Sequence, residues 1–232
     1  MDPAAVDAAP VGGRRRLEPD PQVRAAILAA AARIVRTDGL GALSVAAVLG
    51  RARLGTRAFY RHFDSKDDLV AALFLDMARA EMERTRIPME AAADPVRAVV
   101  AWLDGRLDLA FDDDVVADLR RMSLEAQSQM FAAPQLVAAA YGEILHPLIE
   151  ILCRGKELGL FADIDPVTEA QSMHGVVWAN VNRQWSASGS DRNGIAELRD
   201  RVQRFCLRGL GVAAETIESV LADRNRTTND NR

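Results

Sequence analysis

Hydrogen-bond donors cluster between residues 56 and 62, inside the segment SVAAVLGRARLGTRAFYRHF that spans residues 44–63. In a helix, Phe59 and Phe63 lie one turn apart on the same side. An α-helix with an apolar back and a donor-rich front is suited to the DNA major groove, where side chains meet base edges. The spacing therefore predicts a helix that binds DNA. The donors on its exposed side are Thr56, Arg57, Tyr60, Arg61 and His62.

A second short helix must precede this one and position it. Ser44 is predicted to be its N-cap, because a serine hydroxyl can accept from a free backbone amide of the first turn. Leu54 is the single apolar residue of the polar turn region and can fill the space between two crossing helices, while Gly55 can cap the next helix. This order predicts a helix-turn-helix. The apolar face of the preceding helix is Val45, Val48 and Leu49.

Charge divides the chain into two parts. Residues 1–66 hold 11 Lys and Arg against six Asp and Glu, a net charge of +5, whereas the remaining residues hold 18 against 27, a net charge of −9. The asymmetry indicates a small basic module that meets phosphate and a larger acidic module that does not.

Composition favours helices and a sizeable core. The 232 residues are 49% hydrophobic and 27% charged, and neither a long alternating strand pattern nor an apolar run of membrane-spanning length is present. The N-terminus lacks the apolar core of a signal peptide, so we expect a cytoplasmic protein. Cys153 and Cys206 have no metal-like spacing and are both expected to be small buried hydrophobic residues.

The helices on either side of the motif have clear start and stop signals. The first is predicted to begin near Pro21, with Asp20 as a possible cap. The fourth is predicted to start after a Ser65 cap, to run to about Arg86 and to be stopped by Pro88. It is long enough to leave the small module and enter the larger one, so it is the expected mechanical connection.

The whole chain is therefore predicted to be all-α, with about nine or ten helices. A three-helix DNA-binding domain at the N-terminus precedes a C-terminal helical bundle, which contributes five or six further helices after the fourth. The basic triplet at 14–16 belongs to a tail that is either disordered or an arm following the DNA minor groove. The predicted divisions are a disordered basic tail at 1–19, the helix-turn-helix domain at 20–66, a ligand-binding and dimerisation domain at 67–222, and a disordered tail at 223–232.

The order of these parts resembles one family, the TetR-type transcriptional regulators. The segment FYRHFDSKDDL (59–69) is similar to the family's signature for its third helix and the start of its fourth. VRAAILAAAARIVRTDG (23–39) is similar to its first helix, and GLFADIDP (159–166) to the loop before its eighth helix. The resemblance is specific over residues 21–75 and architectural beyond. It implies a homodimer that binds double-stranded operator DNA and is released by a small-molecule effector.

Two positions depart from the family pattern. Arg53 stands where glycine is usual in a left-handed turn, and an L-residue there costs roughly 1–2 kcal/mol. Either Arg53 tolerates this conformation in return for a phosphate contact, or the turn is wound differently. Gly55 replaces a common cap serine, which is a weaker cap.

DNA contacts divide into phosphate positioning and base readout. The resemblance implies that Tyr60, His62 and Lys66 contact backbone phosphates. Thr56 and Arg57, at the start of the recognition helix, are expected to reach base edges. Arg51 and Arg53 are either phosphate contacts or solvated turn residues. The full predicted DNA-binding set is Ser44, Thr56, Arg57, Ala58, Tyr60, His62 and Lys66, with Ala58 against a thymine methyl.

An effector cavity in the larger module would be mostly apolar with a few polar groups. Each candidate is also explained by ordinary core packing, and an apolar or amphipathic effector is the expected class. The candidates are Trp102, Met122, Met130, Phe131, Tyr141, His146, Met173, Trp178 and Asn182.

Dimerisation is predicted to involve the last two long helices, because the earlier of them is apolar over more than half its circumference and needs two partners. The alternative is a central helix fully enclosed in a monomer. The predicted interface residues are His174, Val177, Val181, Trp185, Leu198, Val202 and Phe205.

Two rival functions remain open. One is an all-α enzyme or lipid-binding carrier that uses the basic module for docking, and the other is a protein-binding adaptor. No residue pattern supports catalysis, because the three histidines are scattered and neither a Glu-x-x-His pair nor a glycine-rich phosphate loop is present. We therefore expect no enzymatic activity, no metal and no cofactor.

Overall fold

The computed structural model describes residues 20–108, 113–186 and 194–230, and the predicted tail at 1–19 lies outside these ranges. Within them the chain forms ten α-helices and no strand, which confirms the all-α prediction. Short 3₁₀ turns occur at Leu40–Ala42 and Pro134–Leu136. The helices are α1 Pro21–Asp38, α2 Val45–Ala52, α3 Thr56–Phe59, α4 Lys66–Glu90, α5 Pro95–Asp108, α6 Asp113–Ala132, α7 Ala138–Glu157, α8 Pro166–Ser186, α9 Gly194–Gly209 and α10 Ala214–Asp230.

Side-chain caps set the starts of three N-terminal helices, as the sequence predicts. Asp20 accepts a 2.9 Å hydrogen bond from the amide two positions on. Ser44 and Ser65 accept from the amides three positions on, at 3.1 and 3.0 Å. Each bond satisfies a first-turn amide that the helix itself leaves without a partner.

The buried side chains form two cores. The first core holds α1, α2, α3 and the first half of α4, with Phe59, Leu69 and Phe74 fully enclosed. It does not end at residue 66, because α4 supplies several of its members and Met122 of α6 is also buried in it. The second core joins α5, α7, α8, α9 and α10 around Trp102. α4 therefore passes from one core towards the other.

The predicted stop of the fourth helix is wrong by a few residues, because α4 continues through Pro88 to Glu90. Proline removes the amide that would bond to the carbonyl of Arg84. Both residues are exposed, so water can satisfy that carbonyl. The helix then closes with an Ala91 amide that donates to the carbonyl of Ile87 at 3.0 Å.

The prediction of a disordered tail from residue 223 is also wrong as far as residue 230, because α10 continues to Asp230. Asp223 accepts from the guanidinium of Arg97 at 2.8 Å, which ties α10 to α5. Arg224 donates to the side-chain carbonyl of Gln203 on α9. Contacts between helices thus extend α10 beyond its apolar segment.

The cysteines differ from each other, contrary to the expectation that both are buried. Cys206 is buried, and this burial raises the pKa of its thiol to about 12. Cys153 is exposed on α7. In the part of the chain that the structure describes, no helix combines the length and apolarity needed to cross a bilayer. No group of three or more His, Cys, Asp or Glu in those ranges is arranged to hold a metal ion.

Candidate nucleic-acid interface and buried polar cluster

The turn between α2 and α3 has the left-handed geometry that glycine usually supplies. Arg53 has φ 55° and ψ 44°, and it is the one non-glycine residue with positive φ in the described ranges. The amide of Leu54 donates to the carbonyl of Leu49 at 3.1 Å and closes the helix end. Of the two alternatives left by the sequence, the structure has Arg53 adopting the strained conformation.

Replacing Arg53 by glycine should raise the free energy of unfolding by about 1 kcal/mol, because glycine adopts the left-handed conformation without steric strain. The higher entropy that glycine gives the unfolded chain offsets part of this gain. Urea unfolding measures this change. Arg51→Gly is the matched control: Arg51 lies exposed inside α2, where glycine should instead cost about 1 kcal/mol. Equal shifts in the two variants would contradict a conformational origin.

α3 presents a polar face on an apolar support. Phe59 and Phe63 are 0% and 2% exposed, and their ring centroids lie 5.6 Å apart. The amide of Phe63 donates to the carbonyl of Phe59 at 3.0 Å, so helical bonding continues past the last residue of α3. The side chains opposite, Thr56, Arg57 and Tyr60, are exposed. We call these three residues the reading face.

The other predicted DNA residues surround this face with different exposure. Lys66 is exposed at the first position of α4, whereas Ala58 and His62 are half-buried. Ser44 is exposed, and its cap uses the hydroxyl oxygen as acceptor. The structure therefore places the predicted residues around one helix-turn-helix, with Ala58 turned partly towards the protein.

The interface carries cations without ion-pair partners among the described residues. Five exposed basic side chains lie on or next to the motif, and none of them is within ion-pair distance of a described carboxylate. Cations that are not neutralised within the protein suit the neutralisation of DNA phosphates. They are Arg51, Arg53, Arg57, Arg61 and Lys66.

A second feature lies inside the helical bundle, where Glu81 of α4 and Arg106 of α5 form a buried ion pair. Their side chains are 6% and 5% exposed. Burial lowers the pKa of Arg106 to about 10, so its guanidinium remains charged near neutral pH. Gly105 allows the two helices to approach, since a Cβ there would lie 2.6 Å from the side chain of Thr85.

His174 of α8 completes this buried polar cluster, which we define as Glu81, Arg106 and His174. His174 is 7% exposed and its ring packs edge-on against Tyr141, with centroids 5.0 Å apart. Burial, and then the positive charge of Arg106, lower its pKa to about 3. Both Nδ1 of His174 and Nε of Arg106 are buried without a hydrogen-bond partner.

The sequence predictions missed Glu81 and Arg106, although a signal was present. Arg106 lies four positions after Trp102 and three after Leu103, on the buried stripe of α5. Glu81 likewise occupies a buried position of α4. A charged residue on an apolar stripe indicates either a buried ion pair or a ligand contact, and it marks this cluster.

His174 predicts a pH dependence of stability. Because its folded pKa of about 3 lies below the ordinary value of 6.5, the unfolded chain binds a proton that the folded chain does not between these values. Stability therefore rises with pH across that window and is lost as pH falls. Urea unfolding between about pH 4 and 6 gives the slope of the unfolding free energy against pH. In His174→Asn this slope should fall by about 1.4 kcal/mol per pH unit. An unchanged slope would contradict the buried neutral imidazole.

The N-terminal motif is similar to a known family of bacterial proteins. Residues 27–73 match the family model for bacterial regulatory proteins of the tetR family. This N-terminal segment is therefore similar to the N-terminal module of that family. A comparison with curated protein sequences finds no match.

Solved structures extend the likeness beyond this segment, to the fold of most of the chain. RolR in complex with resorcinol matches with a TM-score of 0.59 and 20% identity, over 86% of this chain and 93% of that one. FadR from Bacillus subtilis in complex with stearoyl-CoA matches with a TM-score of 0.63 and 19% identity, over 80% and 98%. The fatty acid degradation regulator FadR from Bacillus halodurans matches with a TM-score of 0.57 and 21% identity, over 81% and 95%.

Within this fold the predicted effector residues do not all meet. Trp102, Tyr141, Met173 and Trp178 belong to or pack against the second core. Met122 and Met130 pack in or against the first core, because α6 lies against α1. His146 and Asn182 are exposed, because they lie on the outward faces of α7 and α8. The side chain of Phe131 lies outside the described residues.

A groove of about 670 Å³ opens between α4 and α7, and none of the predicted effector residues lines it. Met82, Met89 and Ile151 contribute apolar side chains to it. Its rim is made of charged residues that pair with one another, such as Arg79 with Glu143 at 3.3 Å. The groove is therefore a charged surface feature, separate from the buried polar cluster.

The predicted dimer residues are placed differently from the expectation. Six of the seven are buried in the second core of the single chain, where neighbouring helices of the same chain cover them. They do not form a free surface. Phe205 alone among the seven is exposed, at 63%. The six buried residues are His174, Val177, Val181, Trp185, Leu198 and Val202.

Proposed function

We propose that this chain is a ligand-responsive TetR-type transcriptional regulator, a repressor that binds operator DNA as a homodimer and is released by a small molecule. The observation that carries the proposal is the reading face, an exposed donor surface on a helix whose other side is fully buried. We propose the cytoplasm as its compartment and regulation, not catalysis, as its activity.

The exposed residues of the motif support two kinds of DNA contact, one with base edges and one with backbone phosphates. Thr56 and Arg57 stand at the start of α3, where side chains of a recognition helix reach base edges. A bidentate contact from Arg57 to guanine would contribute about 1–3 kcal/mol of discrimination. Tyr60, His62 and Lys66 are proposed as phosphate contacts that fix the register.

A homodimer would place two recognition helices about 34–36 Å apart, the spacing of successive major grooves. The outward faces of α8 and α9 are the proposed contact. Gly175 and Ala179 are exposed on α8 at adjacent turns, and small side chains allow helices to pack closely. Phe205 adds a large exposed apolar side chain from α9.

Release requires a connection from the bundle to the motif, and two helices provide one. α4 carries Lys66 at its DNA end and Glu81 of the buried polar cluster further along. α6 contacts the other end of the motif, where Glu125 accepts from the amide of Leu40 at 3.2 Å. A ligand that shifts either helix would change the spacing of the two recognition helices in the dimer, and the dimer would then bind DNA less tightly. The bound resorcinol and stearoyl-CoA of the similar regulators support a ligand role.

Fluorescence anisotropy with the DNA upstream of the protein's own gene tests this function. Affinity should fall by about 10³-fold between 50 and 200 mM salt, the behaviour of roughly six phosphate contacts per dimer. Arg57→Ala should weaken specific binding by about tenfold or more, equivalent to at least 1.4 kcal/mol.

Arg84→Ala is the matched control, because Arg84 is equally exposed but lies on α4 away from the motif. It should leave affinity nearly unchanged. Affinity that is flat with salt and equal for scrambled DNA would overturn the proposed function.

A further inference from the structure

One hydrogen bond joins the junction of α1 and α2 to the helical bundle. Oε1 of Glu125, on α6, accepts from the backbone amide of Leu40 at 3.2 Å, although the two residues are 85 positions apart. Leu40 begins the 3₁₀ turn Leu40–Ala42, and no side chain next to that turn caps it. The first amides of a helical turn have no partner within the turn, and a side-chain oxygen can satisfy them. Glu125 therefore supplies from α6 the cap that the local sequence lacks.

The other hydrogen bonds of this junction, among the described residues, act within a few positions of the chain. The amide of Gly39 donates to the carbonyl of Val35 at 3.0 Å and ends α1. The amide of Leu43 donates to the carbonyl of Leu40 at 3.1 Å, and Ser44 caps α2. These bonds shape the turn, but they do not fix it against another part of the molecule. The bond to Glu125 does.

Gly39 shows how closely the carboxylate approaches the junction. Its φ is +83°, a conformation that glycine adopts without steric cost. A Cβ at this position would lie 3.2 Å from Oε1 of Glu125. Glycine therefore meets two demands here, the positive φ and the space that the carboxylate occupies beside the backbone.

The face of α6 that carries Glu125 is otherwise apolar. Met122 is 5% exposed in the first core, and Ala126 and Met130 pack against that core at intervals of four residues. Glu125 lies three positions after Met122 and so points to the same side of the helix. A carboxylate on such a face needs a polar partner, and the amide of Leu40 is one. α6 is thus attached to the DNA-binding module by apolar contacts and by one polar contact.

Two helices of the bundle hold the module at different places. α4 begins at Lys66, soon after α3 ends, whereas α6 holds the junction before α2. A body attached at two places keeps one orientation, and a body attached at one place can rotate. When only a fraction of the conformations fits a binding partner, the apparent affinity falls by that fraction. Loss of the contact at Leu40 should therefore weaken DNA binding.

We propose that Glu125 is a positioning residue for DNA recognition. Its carboxylate holds the junction of α1 and α2, and through α2 it holds the reading face on α3, in the orientation that DNA requires. The effect on DNA rests on the proposed function, whereas the effect on the junction does not.

Hydrogen exchange of the Leu40 amide, followed by NMR in the full chain without DNA, tests the effect on the junction. Glu125→Ala should speed this exchange by about tenfold, because the amide loses its acceptor. Glu125→Gln should keep most of the protection, since its side-chain oxygen accepts at the same place. Ser128→Ala is the control, because Ser128 is exposed on the same helix. Equal exchange in the wild type and Glu125→Ala would overturn the proposal.

DNA binding by the same variants tests the positioning role. Glu125→Ala should weaken binding by about tenfold. The slope of affinity against salt should stay the same, because the number of phosphate contacts is unchanged. Glu125→Gln removes the same charge but should bind like the wild type, which separates the hydrogen bond from an effect of charge. Urea unfolding of each variant verifies that it is folded under the binding conditions.

The outcomes separate this proposal from the proposed function. Unchanged or tighter DNA binding by folded Glu125→Ala would overturn the positioning role, even if the wild type binds its DNA specifically. Equal weakening in Glu125→Gln and Glu125→Ala would also overturn it. Wild-type affinity that is flat with salt and equal for scrambled DNA would overturn the proposed function, and with it the effect of Glu125 on DNA. Faster exchange of Leu40 in Glu125→Ala would then still support the hold on the junction.

Discussion

Replacing Arg106 by leucine should lower the free energy of unfolding by about 3–5 kcal/mol, because Glu81 would remain buried without its partner. Attraction within a buried pair offsets the desolvation of two charges, and removing one member leaves that cost uncompensated. Urea unfolding followed by tryptophan fluorescence measures the change, since all three tryptophans belong to or pack against the second core and Trp102 lies on α5 with Arg106.

The double variant Glu81→Leu, Arg106→Leu should recover most of that loss, because two apolar side chains can replace a buried ion pair at little net cost. Arg86→Leu is the surface control: Arg86 pairs with Glu83 and Glu90, but its side chain is 49% exposed, so stability should hardly change. A double variant as unstable as Arg106→Leu alone would show that the charges are not the cause.

Alanine at the neighbouring positions 59 and 60 should affect two different properties, the folding stability in Phe59→Ala and the DNA affinity in Tyr60→Ala. Phe59→Ala should cost about 3–5 kcal/mol, because it removes a fully buried aromatic ring from the first core. Tyr60→Ala should leave stability nearly unchanged, since its side chain is 58% exposed, yet weaken DNA binding.

Unfolding and DNA binding must both be measured for each variant. Phe59→Ala is expected to lose DNA binding only as the fraction of folded protein falls, so its loss should shrink at lower temperature. Tyr60→Phe gives the finer comparison, because it keeps the ring and removes the hydroxyl proposed to donate to phosphate. Full DNA affinity in Tyr60→Phe would contradict that role.

Features determined by a few adjacent residues could be predicted from the sequence. The caps Asp20, Ser44 and Ser65 act within two or three positions along the chain, and the structure confirms each. The buried pair of phenylalanines in the recognition helix depends only on helical spacing. The TetR resemblance came from the same local segment.

Features that depend on tertiary neighbours could not be predicted. The wide apolar surface of α8 indicated that this helix has two packing partners. It did not indicate that helices of the same chain are the ones that cover His174 and Trp185. Pro88 is a strong local stop signal, yet exposure of its surroundings lets α4 continue. The Glu81–Arg106 pair joins two helices whose register no local pattern specifies.

The hydrogen bond from Leu40 to Glu125 bears on the order in which the protein is made. The carboxylate that closes the junction of α1 and α2 lies 85 residues further along the chain, and Met122 reaches the first core from the same helix. During synthesis the motif leaves the ribosome well before these two residues are joined to the chain. A nascent chain that ends before α6 would therefore lack the contacts of α6 with α1 and Leu40, and the first core would be fully packed only once the bundle has begun to form.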